Sequence, residues 1–480
     1  MPQSLTLEVD NSFAPAVAAR AQHKSAILVS ELISALSYAL DLTEGRPMGH
    51  SVRSCLLGMR IAEELGLSAE TQADLYYTLL LKDAGCSSNS SRLYHILNAD
   101  DIRAKGDLKT TDWTKVGWES LHYALTHVAT ETPFPERVWK LAQVAATQQR
   151  DSCELVKIRC ERGSAIARKL GFSESVASGI HCLDEHWNGR GYPNGLKGKN
   201  IPLASNIANL AQTLEVFWAA RGPQAAIAAA EGRSGRWFDP ELVQAVVSLA
   251  RQGLLWTKLE SEDVIAQVMA MEPEERRLTA TEQTTDNICL AFAEIIDAKT
   301  PFTYKHSTGV AQAAVTIARG LGVSEQGVKN LHRAALLHDI GKLGVSNTIL
   351  EKPGKLTSEE FAEVRKHPYY TYEILRRIPA FADFSMDAAA HHERLNGKGY
   401  WRGLNGDQMS LSARILAVAD VFDALMAKRP YRDALPIEKV FSMMREDAPH
   451  ALDWQCLATL MKSEPAFKDS VTEELAVVAV

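Results

Sequence analysis

The strongest constraint on the fold of this chain is that it carries the same pattern twice. LYYTLLLKDAG at Leu75–Gly85 matches LHRAALLHDIG at Leu331–Gly341, an offset of 256 residues (338 − 82). At the same offset, GHS at Gly49–Ser51 falls on KHS at Lys305–Ser307. Further on, NGRGYPNGLKG (Asn188–Gly198) matches NGKGYWRGLNG (Asn396–Gly406), and there the offset is 208 (399 − 191). The first copy therefore holds 48 additional residues (256 − 208), which fall near Ser87–Val156. Long-range self-similarity of this kind marks a duplicated unit. The 480 residues then divide into two domains of one fold.

Both copies read as helical. Apolar residues recur at helical spacing in SAILVSELISALSYAL and HSTGVAQAAVTIARGLG, while alternating β patterns are rare and short. Ser324 before EQGVKNLHRAALL is an N-cap signal, and Thr357 with Glu360 forms a capping box. Pro368 follows that second helix closely, which predicts His367 near its end. In the additional segment, SSNSS and Thr110–Trp113 read as loop and irregular helix. The expected class is all-α. The expected units are an N-terminal arm (1–20), the first copy (21–245), a connecting helix and linker (246–283), the second copy (284–468) and a tail (469–480).

The second copy sets an unusual group of ionisable residues on apolar helices: His306, His338, Asp339, Lys342, His367, His391, His392 and Asp420. Asp420 lies within ARILAVADVFDALMA and His338 ends AALLHD. Buried ionisable groups cost several kcal/mol unless they are paired or bound to metal. A metal cluster supplies one common partner for all of them. Five imidazoles and two carboxylates exceed the needs of one tetrahedral zinc, and they suit two octahedral ions such as iron or manganese. Adjacent helical residues point about 100° apart, so His391 and His392 can serve different ions and Asp339 can bridge. Two ions about 3.5–4 Å apart can hold a shared hydroxide as nucleophile and clamp a phosphodiester. Lys342, four residues after His338, could then offset charge on the phosphate.

Composition narrows the function further. The formal charge of −7 argues against a general binder of DNA or of an anionic membrane. Seven scattered cysteines, none in a C-x-x-C pair, exclude a disulfide-stapled fold and fit a reducing cytoplasm. No stretch of about 18 apolar residues occurs. A cytoplasmic protein is expected.

HDIGKLGV, the His391–His392 pair before a Gly-rich loop, and ADVFDAL followed by KRPYRDAL resemble the HD-GYP family of bacterial phosphohydrolases. The resemblance spans about Ile288–Met461. It implies tandem HD-type helical domains, the second an HD-GYP domain, and hydrolysis of a cyclic dinucleotide to a linear 5′-phosphorylated one. Cyclic di-GMP is the first expectation and 3′,3′-cyclic GMP-AMP its nearest competitor. The implied metal ligands are His306, His338, Asp339, His367, His391, His392 and Asp420, and Asp339 and Lys342 are the implied catalytic residues. Lys342, Arg429 and Arg432 are the implied phosphate-binding residues. The signature triplet reads Gly399-Tyr400-Trp401, so proline is replaced by a ring that could cover a purine, and Tyr400 and Trp401 join the expected substrate site. Family members with a third ion carry a carboxylate four residues before His306. Here that residue is Phe302, which favours two ions. An HD phosphohydrolase acting on another nucleotide, and a scaffold without activity, are the alternative readings.

The first copy keeps Gly191-Tyr192-Pro193 but not the ligands. His50 and Asp83 remain. Lys82 stands for His338, Cys86 for Lys342, Arg159 for His367, Leu183 and Asp184 for His391 and His392, and Gln212 for Asp420. Lysine and arginine would repel cations, so a metal-free structural or regulatory domain is expected. A pocket in which Lys82 and Arg159 bind an anion is the sharper alternative, and His186 alone cannot rebuild the cluster. The first copy is expected to pack on the second or to form a homodimer. The Gly-rich loops and the N-terminal copy are the expected surfaces for a protein partner.

Overall fold

The computed structural model describes residues 27–112, 118–130, 132–261, 263–427, 432 and 434–463. The expected arm and tail, and Arg429, lie outside them. Among the described residues there is no strand, only isolated β-bridges, so the all-α expectation holds. Among the described residues no helix is long and apolar enough to cross a membrane.

The first copy comprises α1 (Val29–Thr43), α2 (His50–Glu64), α3 (Ala69–Leu81), α4 (Ser90–Leu97), α5 (Asp101–Leu108), α6 (Trp118–His127), α7 (Phe134–Lys169), α8 (Glu174–His181), α9 (Leu203–Arg221), α10 (Pro223–Arg233) and α11 (Pro240–Arg251). After α12 (Val264–Met271), the second copy comprises α13 (Glu282–Asp297), α14 (His306–Gly320), α15 (Glu325–Leu337), α16 (Asn347–Leu350), α17 (Ser358–Val364), α18 (His367–Leu375), α19 (Ala382–Ala389), α20 (Leu411–Met426), α21 (Ile437–Asp447) and α22 (Trp454–Lys462). α2 and α14, α3 and α15, α8 and α19, and α9 and α20 begin at equivalent residues of the repeat.

The shared starts have shared causes. Ser68 caps α3 and Ser324 caps α15, each hydroxyl accepting a backbone N–H three residues on. Asp41 and Asp297 occupy one register before α2 and α14. Asp41 accepts from Ser51 N and Oγ, at 2.9 and 2.7 Å. Asp297 does the same for Ser307, with Oγ at 2.7 Å. After α3 and α15 the chain turns through short 3-10 segments, Cys86–Asn89 and Ile340–Gly344. Each turn rests against another helix through a glycine. A Cβ on Gly341 would lie 2.0 Å from His367 O, and one on Gly85 would lie 1.9 Å from Arg159 O. Backbone cannot yield there, so only glycine permits the contact.

One expectation changes, at His367. The additional segment holds α4, α5, α6 and the first half of the 36-residue α7, with a turn and bend at Thr110 and Thr111, and Trp113 lies outside the described residues. SSNSS runs through a 3-10 turn into α4, and Asp100 caps α5 by accepting from Ile102 and Arg103. His367 does not end a helix. α17 stops at Val364 and His367 opens α18, with Pro368 in its first turn. There the missing N–H of proline costs no hydrogen bond.

One hydrophobic cluster runs through both copies. α1 packs on the Ile340–Gly344 turn and on α18 of the second copy. Arg377 lies 4.4 Å over the ring of Tyr38. Leu28 and Thr279 form a β-bridge, and the buried Glu272 after α12 accepts from Ser30 Oγ (2.6 Å) and Tyr77 OH (2.5 Å). The expectation that the copies pack on each other is met within one chain.

Candidate metal centre

The second copy brings all seven expected ligands to one buried point. α14 begins with His306, α15 delivers His338 and Asp339 at its end, α18 begins with His367, α19 delivers His391 and His392 just past its end, and α20 carries Asp420. Asp339 lies at the middle, about 1% exposed. Its Oδ2 is 3.6 Å from His306 Nε2 and 3.4 Å from His338 Nε2. Its Oδ1 is 3.4 Å from His367 Nε2 and 3.5 Å from His391 Nε2. Two ligand groups thus share one carboxylate: His306, His338 and Asp339, and Asp339, His367, His391 and His392. Asp420 stands 3.4 Å from His306 Nε2 and 3.6 Å from His392 Nδ1. His391 and His392 both fall in the second group, although their helical spacing had left room for different ions.

The hydrogen bonds behind the ligands fix which nitrogen faces inward. His338, His367 and His391 each donate Nδ1–H to the carbonyl three residues back, Ala335, Val364 and Ala388, at 2.6–2.7 Å. His306 Nδ1 meets Asp423 Oδ2 at 2.6 Å. The Nε2 of His338, His367 and His391 then presents a lone pair to the centre. His367 Nε2 and His391 Nε2 are 3.2 Å apart, acceptor against acceptor. His338 Nε2 and Asp339 Oδ1 are buried with no hydrogen-bond partner. Converging lone pairs and carboxylates repel unless a cation lies among them, so this donor set fits divalent metal.

Electrostatics agree. Burial alone would push Asp339 up, but the neighbouring His338 and Lys342 outweigh it and hold the carboxyl well below the usual range. Asp420 is held down likewise, against burial, by His306 and His392. Burial keeps His367, His391 and His392 neutral, with pKa values below the usual imidazole range. His306 is the exception: against burial, Asp420 and Asp423 raise it to about 10 in the absence of metal.

Lys342 lies in the 3-10 turn rather than on a continued α15, and its Nζ is 2.6 Å from Asp339 Oδ2. Tyr400 walls the centre, its ring 4.6 Å from that of His392. Trp401 turns instead onto α18, 5.3 Å from Tyr372 and 6.3 Å from Tyr369, with a left-handed φ of 90°. Arg432 donates to Ala424 O (2.8 Å) and Ala427 O (3.4 Å), closing the end of α20. The structure thus gives Trp401 and Arg432 packing partners of their own. Three further carboxylates support the centre: Asp423 behind His306, Asp297 at the end of α13, which accepts from Ser307, and Glu393. Glu393 accepts from Arg402, Gly403 and Leu404 N, at 2.8–3.1 Å, and so pins the Gly-rich loop. Each has an acidic twin in the first copy, Glu215, Asp41 and Glu185, so the repeat register already carried the signal.

In the first copy, ion pairs fill the equivalent place. Lys82 pairs with Asp83 and Arg159 with Asp184. Lys109 reaches in from the additional segment to Glu44 (2.8 Å) and Asp83 (3.4 Å). His50 Nδ1 meets Glu215, as His306 meets Asp423, and burial lowers His50 to about 4. His186 stacks on Trp237, with ring centroids 4.1 Å apart. Glu44, Asp83 and Cys86 lie close enough to hold an ion, but Lys82 and Lys109 already supply the countercharge.

A family model described as "HD domain" matches residues 112–242 and 291–455, covering parts of both copies. The chain belongs to this family, whose domains bind divalent metals, and it is a phosphodiesterase of the HD-GYP type. Among its relatives is the 3′3′-cGAMP-specific phosphodiesterase 3 of Vibrio cholerae. That protein is 43% identical over 447 residues, 93% of this chain and 96% of the relative. The cyclic di-GMP phosphodiesterase response regulator RpfG of Xanthomonas campestris is 34% identical over 218 residues, 44% of this chain and 56% of the relative. A crystal structure of a cyclic GMP-AMP specific phosphodiesterase from V. cholerae superposes with a TM-score of 0.64 at 39% identity. It covers 92% of this chain and 98% of that one.

Proposed function

We propose that the second copy, about residues 284–468, hydrolyses a 3′,3′-cyclic dinucleotide to a linear 5′-phosphorylated dinucleotide, with cyclic GMP-AMP preferred over cyclic di-GMP. The observation that carries the reading is Asp339, whose two oxygens face two separate histidine groups. That arrangement suits two divalent ions, iron or manganese, bridged by one carboxylate. His306, His338 and Asp420 would hold one side, and His367, His391 and His392 the other. When bound, such ions supply Lewis acidity for activating water and for neutralising phosphate oxygens. Phe302 offers no third set of ligands.

The remaining roles belong to the chain's own groups. Lys342, already beside Asp339, is placed to leave it for a phosphate oxygen and to offset charge in the transition state. Tyr400 closes one side of the centre and orients the substrate next to His392. The near full-length similarity to a cyclic GMP-AMP enzyme supports the preference for that substrate. The first copy, about residues 21–245, is the metal-free twin. Incubating manganese-loaded protein with cyclic GMP-AMP and cyclic di-GMP side by side tests the reading. Faster conversion of cyclic GMP-AMP to a linear product is expected. Hydrolysis of neither, with metal bound, would refute it.

A further inference from the structure

The additional segment of the first copy joins the pocket of that copy to the second copy through one short helix. Asp101, Lys105 and Lys109 recur every fourth residue along α5 and its C-cap, which places them on one face. Lys105 Nζ donates to Cys86 O and to Ser90 Oγ, both at 2.7 Å. Lys109 reaches Glu44 and Asp83 in the pocket where the first copy has lost its ligands. Cations thus anchor α5 where the twin domain would hold metal.

The other end of α5 enters the second copy. Asp101 is fully buried. Its Oδ2 accepts from Lys299 Nζ at 2.9 Å, and its Oδ1 accepts from Asn347 N at 2.7 Å and Ser346 Oγ at 3.1 Å. Lys299 is itself only 2% exposed. Its carbonyl accepts from Asn347 Nδ2 at 2.9 Å, which closes the knot. Lys299 stands seven residues before His306, at the end of α13. Ser346 stands seven residues after Asp339 and four after Lys342. One carboxylate from the first copy therefore ties the segment leading into one side of the metal centre to the segment leaving its middle. Asp101 lies within the stretch Ser87–Val156 that holds the 48 additional residues.

We propose that the first copy is a positioning domain for the catalytic centre and that Asp101 is its positioning residue. Without Asp101, a buried ammonium and a buried backbone N–H lose their acceptor. The two segments then separate, and His306 shifts relative to Asp339 and Lys342. The proposal rests on the reading that the second copy is the hydrolytic centre.

The test uses the full chain with Asp101→Ala, Asp101→Asn and the double variant Asp101→Asn with Lys299→Met. Asn at 101 still accepts from Asn347 N, and Met at 299 removes the charge left unpaired. Hydrolysis of cyclic GMP-AMP per metal-loaded site is measured beside the visible absorption of the cobalt-substituted centre, which reports ligand geometry. Asp101→Ala is expected to lower kcat by about 10²-fold, the scale for a reacting group misplaced by about 1 Å. KM should change little and the cobalt bands should move. Asp101→Asn is expected to show the same defect, and Lys299→Met to restore most of the rate and the spectrum to it. If the variants melt earlier yet keep the rate per site and the cobalt spectrum, Asp101 is only structural and the proposal fails. Should Asp101→Ala not fold, the Asn variant and its rescue decide the matter. If the unaltered protein hydrolyses nothing, the functional reading falls, while the cobalt spectra still decide whether Asp101 positions the centre.

Discussion

The two copies solve one problem in opposite ways. Each closes a helical fold around a buried point reached by α2, α3, α8 and α9 or by their counterparts α14, α15, α19 and α20. In the second copy that point gathers the imidazole lone pairs of His338, His367 and His391 and two carboxylates, with Lys342 and His306 beside them. In the first it gathers Lys82, Lys109 and Arg159 against Asp83, Glu44 and Asp184. In the first copy lysine and arginine supply positive charge at the meeting of the helices. What the exchange forfeits is chemistry, because an ammonium salt bridge cannot activate water.

The sharpest way to break this comparison is to remove the matched aspartates. Asp339→Ala is expected to abolish hydrolysis and to release metal, since both ligand groups lose their shared member. Asp83→Ala should leave the rate per loaded site within a few-fold, while destabilising the protein by about 3–5 kcal/mol because Lys82 and Lys109 lose a buried partner. Assays of rate, metal content and urea unfolding on both variants check the contrast. Next in size is Lys342→Ala, expected to keep the metal and to lower turnover by about 10²–10³-fold, the loss for one transition-state donor.

A third test exploits the matched glycines. Gly341→Ala and Gly85→Ala should each cost about 3 kcal/mol, because the new Cβ meets backbone oxygen. Only Gly341→Ala should also reduce metal occupancy, since the turn it distorts carries Asp339 and Lys342. Equal loss of metal in both variants would contradict the division of labour.

The smallest effect concerns pH. Burial holds His50 at about 4, against about 6.5 for an unfolded imidazole. Below pH 6.5 the unfolded chain binds the extra proton first. The contribution of His50 is thus fully present above pH 6.5 and is lost as pH falls toward 4. His50→Asn is expected to flatten the slope of stability against pH between 6.5 and 5, by about 1–2 kcal/mol over that range. Urea midpoints measured at a series of pH values would show it.

The metal set was legible because ionisable residues at seven positions interrupt otherwise apolar helices, a pattern that local sequence displays directly. The duplication was legible for the same reason, since LLLKDAG and ALLHDIG share one spacing. What escaped was set by partners distant in the chain. Pro368 looked like a helix stop, yet it lies in the first turn of α18, where its missing N–H costs no hydrogen bond. Arg432 is expected at a phosphate of the substrate, and the folded chain adds contacts of its guanidinium with the carbonyls of Ala424 and Ala427. Trp401 looked like a base-stacking platform, and its place against Tyr372 depends on how α18 packs under the loop. Asp423, Asp297 and Glu393 lay in plain register with acidic twins, but their meaning came only with the distances.

The measurement that bears most directly on the central claim is the metal content of the intact chain and of two ligand-replaced variants. Elemental analysis of manganese- or iron-reconstituted protein should find two ions per chain. Replacing His338 and His391 together by alanine should remove both, and replacing His50 and Asp83 together should remove neither. Ions that persisted after loss of His338 and His391, or vanished with His50 and Asp83, would place metal in the first copy and contradict the account.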